Sequence, residues 1–284
     1  TMKHIVKIFS FCVFALAINA CTKGSGPDGD NNQGGSDTSS FTKNVLIMEF
    51  VSFDCVYCPK VSDLIAAASE TKYPGRIDLI SVHGRLDEND PMEFSSYKQF
   101  QNYFYGVTGY PGVIIDQRDD LVTVGEFDAT SGSFIERAKE TAKIGIALGT
   151  AVTGDNTVRV EVQVANRGEA SADYRLAVAV LENDIPYRQA DLVDGSLKWI
   201  EDYRHFHVLR AYLTGNYFGD ELGTIAKNGV YAKTFTYTIP SGYVKENLSF
   251  VAYVIEAKGF APRVSVNSRS VHIGKSVDFS GNIK

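Results

Sequence analysis

One stretch constrains this chain more than any other: Val45-Leu46-Ile47-Met48-Glu49-Phe50-Val51-Ser52-Phe53-Asp54-Cys55-Val56-Tyr57-Cys58, followed at once by Pro59. An apolar strand runs straight into a Cys-x-x-Cys, and the residues after it carry helical spacing through Val61, Leu64, Ile65 and Ala68. A thiol at a helix N-terminus meets unpaired backbone N–H groups and the positive end of the helix dipole. Both favour the thiolate, the form that attacks disulfides and binds metals. The same pair of cysteines also fits half of a zinc site, so its surroundings must decide.

The 284 residues carry a net charge of −6, enough chain for two domains and too acidic for a nucleic-acid partner. Residues 1–20 read as a signal peptide: Lys3, His4 and Lys7 precede the apolar run Ile8–Ile18, which is too short to span a membrane. Ala20 before Cys21 looks like a lipobox, with Cys21 acylated as the mature N-terminus. An ordinary signal peptide with a nearby cysteine is the alternative. Residues 21–40, rich in Gly, Ser, Asp and Asn, form a flexible tether. Of four cysteines, Cys12 leaves with the leader and Cys21 carries lipid, so only Cys55 and Cys58 remain for the fold. An exported chain that keeps one such pair is not using disulfides as a framework. The pair serves redox work or a metal, or is a remnant. No histidine has zinc-ligand spacing from it, so neither a metal nor a cofactor is expected.

Residues 41–142 alternate strands and helices in the order βαβαββα. The strands are Val45–Val51, Ile77–Val82, Val113–Asp116 and Leu121–Val124, and the helices Lys60–Thr71, Phe94–Tyr105 and Ser131–Ala142. From Lys143 the period becomes two. Seven strands follow, near Ile144–Val152, Val158–Val164, Tyr174–Leu181, Phe206–Leu213, Thr234–Ile239, Ser249–Glu256 and Ser265–Ile273. They read as an all-β antiparallel, Ig-like sandwich over 143–284. Asn183–Asp202 and Thr214–Gly229 read as long loops. Each segment should hold a core of its own, with the division near Thr141–Gly145.

Cys55 and Cys58 at the head of the first helix, Pro111 before the third strand and Glu49 six residues before Cys55 make 41–142 resemble an α/β thioredoxin-like domain. The run Glu49-Phe50-Val51-Ser52-Phe53 is similar to periplasmic disulfide oxidoreductases. The resemblance implies that Pro111 is a cis-proline opposite the cysteines, Cys55 an exposed attacking thiolate and Cys58 a buried resolving thiol. It also makes Glu49 a buried carboxylate that accepts the Cys58 proton; the alternatives are an edge placement or a lysine partner, since an unpaired carboxylate on a central strand is costly. Two positions depart from the pattern. Asp54 should raise the Cys55 thiol pKa, and Tyr110 should crowd the groove where a substrate peptide pairs. His83 at a strand end approaches the cysteines or stays solvated. His205 and His207 alternate on one strand face, which suits a metal or simple packing.

The whole chain is similar to a Gram-negative outer-membrane lipoprotein family known by its twenty-eight-kilodalton founding member. Leu181-Glu182-Asn183-Asp184-Ile185 and His205-Phe206-His207-Val208-Leu209-Arg210 carry the likeness in the sandwich. It implies lipid anchoring in the outer membrane, on the periplasmic face or the cell surface. Two functions follow: thiol–disulfide exchange with a protein dithiol or disulfide, or surface binding and adhesion on a scaffold whose disulfide is structural. For the anchor, Cys21→Ser should move the protein from the membrane fraction to the soluble one. Retention on the membrane at normal salt would refute the lipobox.

Overall fold

The run Val45–Val51 is buried at every residue, so the sheet that contains it is covered on both faces. The computed structural model describes residues 40–104, 109–118, 121–122, 136–257 and 264–281. The signal peptide, Cys21 and all of the tether except Ser40 lie outside the described residues. In chain order the elements are β1 (Phe41–Thr42), β2 (Val45–Val51), α1 (Cys58–Ala67), β3 (Ile77–His83), α2 (Tyr97–Tyr103), β4 (Gly112–Ile115), β5 (Leu121–Val122) and β6 (Thr141–Ala142). The chain continues with β7 (Ile144–Gly154), β8 (Thr157–Asn166), β9 (Tyr174–Glu182), β10 (Ile185–Pro186), β11 (Gln189–Val193), β12 (Ser196–Ile200), β13 (Arg204–His205) and β14 (Val208–Tyr212). It closes with β15 (Asp220–Glu221), β16 (Val230–Thr238), β17 (Leu248–Glu256), β18 (Val264–His272) and β19 (Ser276–Val277). The protein is predominantly β, mostly antiparallel, with few helices.

A nine-stranded sheet runs β18-β17-β9-β14-β3-β2-β4-β5, with β15 on the side of β9. β3 lies parallel to β2 with Glu49 opposite Ser81, and β4 lies antiparallel on the other side of β2. A four-stranded sheet, β16-β8-β7-β19, packs on the β9–β17 half. Three apolar clusters result. Val45 and Ile47 pack under Val61 and Ile65 of α1. Leu176, Val178 and Val180 of β9 and Phe250, Ala252 and Val254 of β17 fill the space between the two sheets. The alternate residues, Ala177, Ala179, Leu181, Val251, Tyr253 and Ile255, point to the opposite face and join Leu46, Met48, Phe50 and Phe100. Period-two side-chain alternation thus gives the two-faced strands a share in two clusters.

Residues 41–142 and 143–284 therefore each hold a cluster of their own and share a third. All described residues fall in one compact unit. The joint in the shared sheet is short: Val208 of β14 pairs with Ser81 of β3, and the Ser81 N–H donates to His207 O at 2.9 Å. A buried polar seam reinforces the union. Asn44 N–H donates to Asn267 Oδ1 (2.8 Å), and Asp78 Oδ2 accepts from both Asn44 (3.1 Å) and Ser268 (2.6 Å). The Arg269 guanidinium, 1% exposed, donates to Thr42 O at 2.8 Å.

Several expectations need correction. Ser131–Ala142 is not a helix to its end: Thr141–Ala142 form β6, paired with β1 in the register Phe41–Ala142. Residues 131–135 and 123–124 lie outside the described residues. The first helix begins at Cys58 and turns into a π turn at Ala68–Lys72. Asn183–Asp202 is not an irregular loop, because β11 and β12 form a hairpin within it. Its turn, Asp194-Gly195, has φ of 51° and 74°, the pair of left-handed residues that a two-residue hairpin asks for.

Because Leu209 is 1% exposed in the shared cluster, Leu209→Ala should cost about 2–5 kcal/mol. Calorimetry should show one transition, lowered in midpoint but not split. Two separate transitions would mean that the segments fold independently.

Candidate functional site

Strand β2 ends at Val51, and a tight turn delivers Cys55, whose carbonyl accepts the Cys58 N–H at 3.3 Å. Pro59 in the first turn of α1 suits a position whose N–H needs no helical partner. Cys55 and Cys58 form a disulfide, with an S–S distance of 2.08 Å and Cα atoms 5.4 Å apart. The pair packs with Val51 and Tyr110, and the Tyr110–Pro111 peptide bond is cis. The Tyr110 hydroxyl reaches the loop after β3: a Cβ on Gly84 would lie 2.1 Å from it, so residue 84 has no room for a side chain.

Cys55 is not the exposed thiol that the resemblance implied. It is 2% exposed and Cys58 3%. The second half of the chain meets the turn that carries Cys55. Gln189 Nε2 donates to Cys55 O (3.1 Å), and the Ala190 N–H donates to Phe53 O (2.7 Å). Phe53 itself is wedged between Tyr187 and Trp199, at centroid distances of 5.2 and 6.0 Å.

Asp54 is engaged by its own hydrogen bonds. Its carboxylate accepts from Ser52 Oγ (2.5 Å) and from the N–H groups of Asp87 (2.9 Å) and Glu88 (2.8 Å), which clamps the loop after β3.

Glu49 is 3% exposed and away from any sheet edge. Its Oε2 accepts from Ser62 Oγ at 3.0 Å and its Oε1 from Ser81 Oγ. Ser62 lies four residues after Cys58 and so on the same face of α1, and Glu49 and Cys58 line one cleft. Burial pushes the Glu49 pKa up, against the two serine hydrogen bonds and the nearby His83.

Glu49, Cys58, Ser62, Gln189, Tyr203 and His205 line part of a cleft of about 780 Å³. Burial raises the Tyr203 phenol to about 12, helped by Asp63, Glu49 and Asp191. His205 is lowered to about 4 by burial and then by His83, whose ring lies 5.3 Å away. His83 is buried rather than solvated, with Nδ1 2.8 Å from Asp90 Oδ2. His207 does not share a face with His205. A left-handed φ of 57° at His207 breaks the strand between them, leaving His205 buried and His207 exposed. Among the described residues no cluster of three His, Cys, Asp or Glu side chains could hold a metal.

Sequence reasoning missed Ser62, Ser81, Gln189 and Ala190. Helical spacing from Cys58 could have found Ser62; the other three depend on strand register and on contacts across the fold.

These features define a β-rich protein with a buried Cys-x-x-Cys disulfide and a buried carboxyl, Glu49. Residues 97–277 match the family described as Outer membrane protein Omp28, and the chain belongs to that family. The matched span does not include Cys55 and Cys58. A search of curated proteins found no match. Among solved structures, HBP35 of Porphyromonas gingivalis is similar in fold: TM-score 0.64, 21% identity, 82% of this chain and 76% of that one covered. A domain of the outer membrane lipoprotein Omp28 from Porphyromonas gingivalis aligns at 23% identity and TM-score 0.32, over 47% of this chain and 89% of that one.

A raised Glu49 pKa means that folding favours the protonated carboxyl. That contribution is complete below the unfolded value and fades as pH rises through the folded one. Glu49→Gln should therefore gain melting temperature relative to the wild type as pH goes from 4 to 9. Parallel curves would show that Glu49 ionises without cost.

Proposed function

We propose that this protein is a lipid-anchored outer-membrane protein that carries out thiol–disulfide exchange at Cys55 and Cys58. In this reading residues 41–142 are a thioredoxin-like domain built from β2, α1, β3, α2, β4 and β5. One observation carries it: the Cys55–Cys58 disulfide leads into α1, whose Ser62 donates to the buried Glu49 carboxyl that Ser81 also holds. Cys21 supplies the anchor.

From the oxidised state, a substrate thiolate attacks Cys55 Sγ and the S–S electron pair passes to Cys58 Sγ. Glu49, protonated by virtue of its burial, gives its proton to that sulfur. The second substrate thiol loses its proton to solvent and displaces Cys55. The products are a substrate disulfide and reduced Cys55, with the two electrons now on the protein. The reverse sequence reduces a substrate disulfide. Burial of both sulfurs favours the second reading, a surface binding scaffold with a structural disulfide.

The two readings part on measurement. In Cys58→Ser the resolving thiol is gone, so mixed disulfides through Cys55 should accumulate as reducible higher-mass species, and Cys55→Ser should lack them. An exchange site should poise between about −270 and −120 mV, and a structural bond below about −300 mV. A potential below that limit without trapped partners in either variant would leave the scaffold reading standing.

A further inference from the structure

A separate arm, Ile185–His205, lies against the turn that carries Cys55. The arm leaves the body through a narrow neck, where β10 pairs with β13 in only two registers, Ile185–His205 and Pro186–Arg204. Beyond the neck, its polar bonds fall on the turn that carries Cys55 and on the loop clamped by Asp54. Gln189 Nε2 donates to Cys55 O (3.1 Å) and Ser52 O (3.4 Å), Ala190 N–H donates to Phe53 O (2.7 Å), and Arg188 pairs with Glu88 (2.8 Å). Trp199 stacks on Phe53 from one side and carries the Arg188 guanidinium 4.3 Å from its ring centroid on another. The rest of the arm is loosely held: Leu192, Val193, Leu197 and Ile200 are 37–56% exposed.

Both ends of the arm adjoin backbone that a side chain disfavours. Asp184 and His207 each have a φ of 57°, and neither is a glycine. Such residues persist where the surrounding structure holds them, and they are natural places for the chain to swing. The seat itself is backbone acceptors at Ser52, Phe53 and Cys55, which any extended polypeptide can fill with an N–H.

We propose that the arm is a gate. Seated, it closes the Cys55–Cys58 bond to thiols; an extended segment of a partner protein opens the site by replacing Gln189–Ala190 against the Ser52–Cys55 turn. The gate's purpose rests on the exchange reading above, but its existence does not.

The test is the rate at which dithiothreitol reduces the native full-length disulfide. The reagent supplies two electrons and two protons, closes to its own cyclic disulfide, and leaves two thiols that iodoacetamide then marks for mass spectrometry. Arg188→Ala and Trp199→Ala remove contacts that seat the arm. Each should speed reduction about tenfold, the scale of one lost aromatic or cation–π contact, with the global melting point moving far less. Equal rates in all three proteins would overturn the gate, as would acceleration that merely follows global unfolding in denaturant. Hydrogen exchange on the unmodified protein tests it without a variant: the Ala190 amide should exchange well before the amides of β2, and simultaneous exchange would overturn it. Faster reduction without trapped partners in Cys58→Ser would sink exchange and keep the gate. Trapped partners with an arm-independent rate would do the reverse.

Discussion

The parallel pairing of Ser81 with Val208 governs the placement of everything else. It stitches β14 to β3, so that the strands of the first segment continue into the sheet of the second. It also fixes where the chain just before β14 must lie. Residues 185–207 are delivered to the end of β2 and β3, where Val51 and His83 sit opposite each other and Cys55 follows. The arm meets the Cys55 turn because the sheet is joined there.

A joint with so short a register needs support, and apolar and polar contacts both supply it. The aromatic side chains of α2 and the loop after β14 pack together, with Phe100 4.9 Å from Tyr217 and Tyr103 stacked on Phe218 at 3.8 Å. The polar seam is the costlier part. Lys43 and Asp116 are both buried and 2.5 Å apart, and breaking such a pair costs about 3–5 kcal/mol because a lone charge stays behind. Arg269 is lowered from its usual pKa by burial, and Asp78 partly offsets that loss. These groups tie the seam to one geometry, since Asn267 Oδ1 accepts from Asn44, Ser268 and Arg269 at once.

Around the disulfide the fold sets reactivity against access. Cys58 starts a helix, the backbone position that favours a thiolate, and burial raises the Glu49 pKa. Yet both sulfurs are shielded, and a thiolate must reach sulfur to react. Asp54, which by charge alone would disfavour the Cys55 thiolate, is spent on loop N–H groups. His205 is neutral under the neck, so the cleft beside Glu49 gains no positive charge from it.

Local pattern alone determined much of this protein. Val45–Val51 is a strand with the bounds that its apolar run gives, and Tyr174–Glu182 and Leu248–Glu256 follow from their near-continuous apolar runs with little error. The position of Cys58 at a helix start was equally plain, because strand and helix periods meet there. The Asp194-Gly195 turn was legible too, as a glycine-containing pair between apolar runs, although the segment reads as loop when its few apolar residues are judged by alternation alone. What the sequence did not determine is who covers whom. Gln189 is 134 residues from Cys55, and nothing local links them. The burial of Cys55 and the bonds of Asp54 to the loop after β3 follow from long-range contacts. Side-chain periodicity is a property of a few neighbouring residues, whereas burial is set by whichever distant strand the sheet brings alongside.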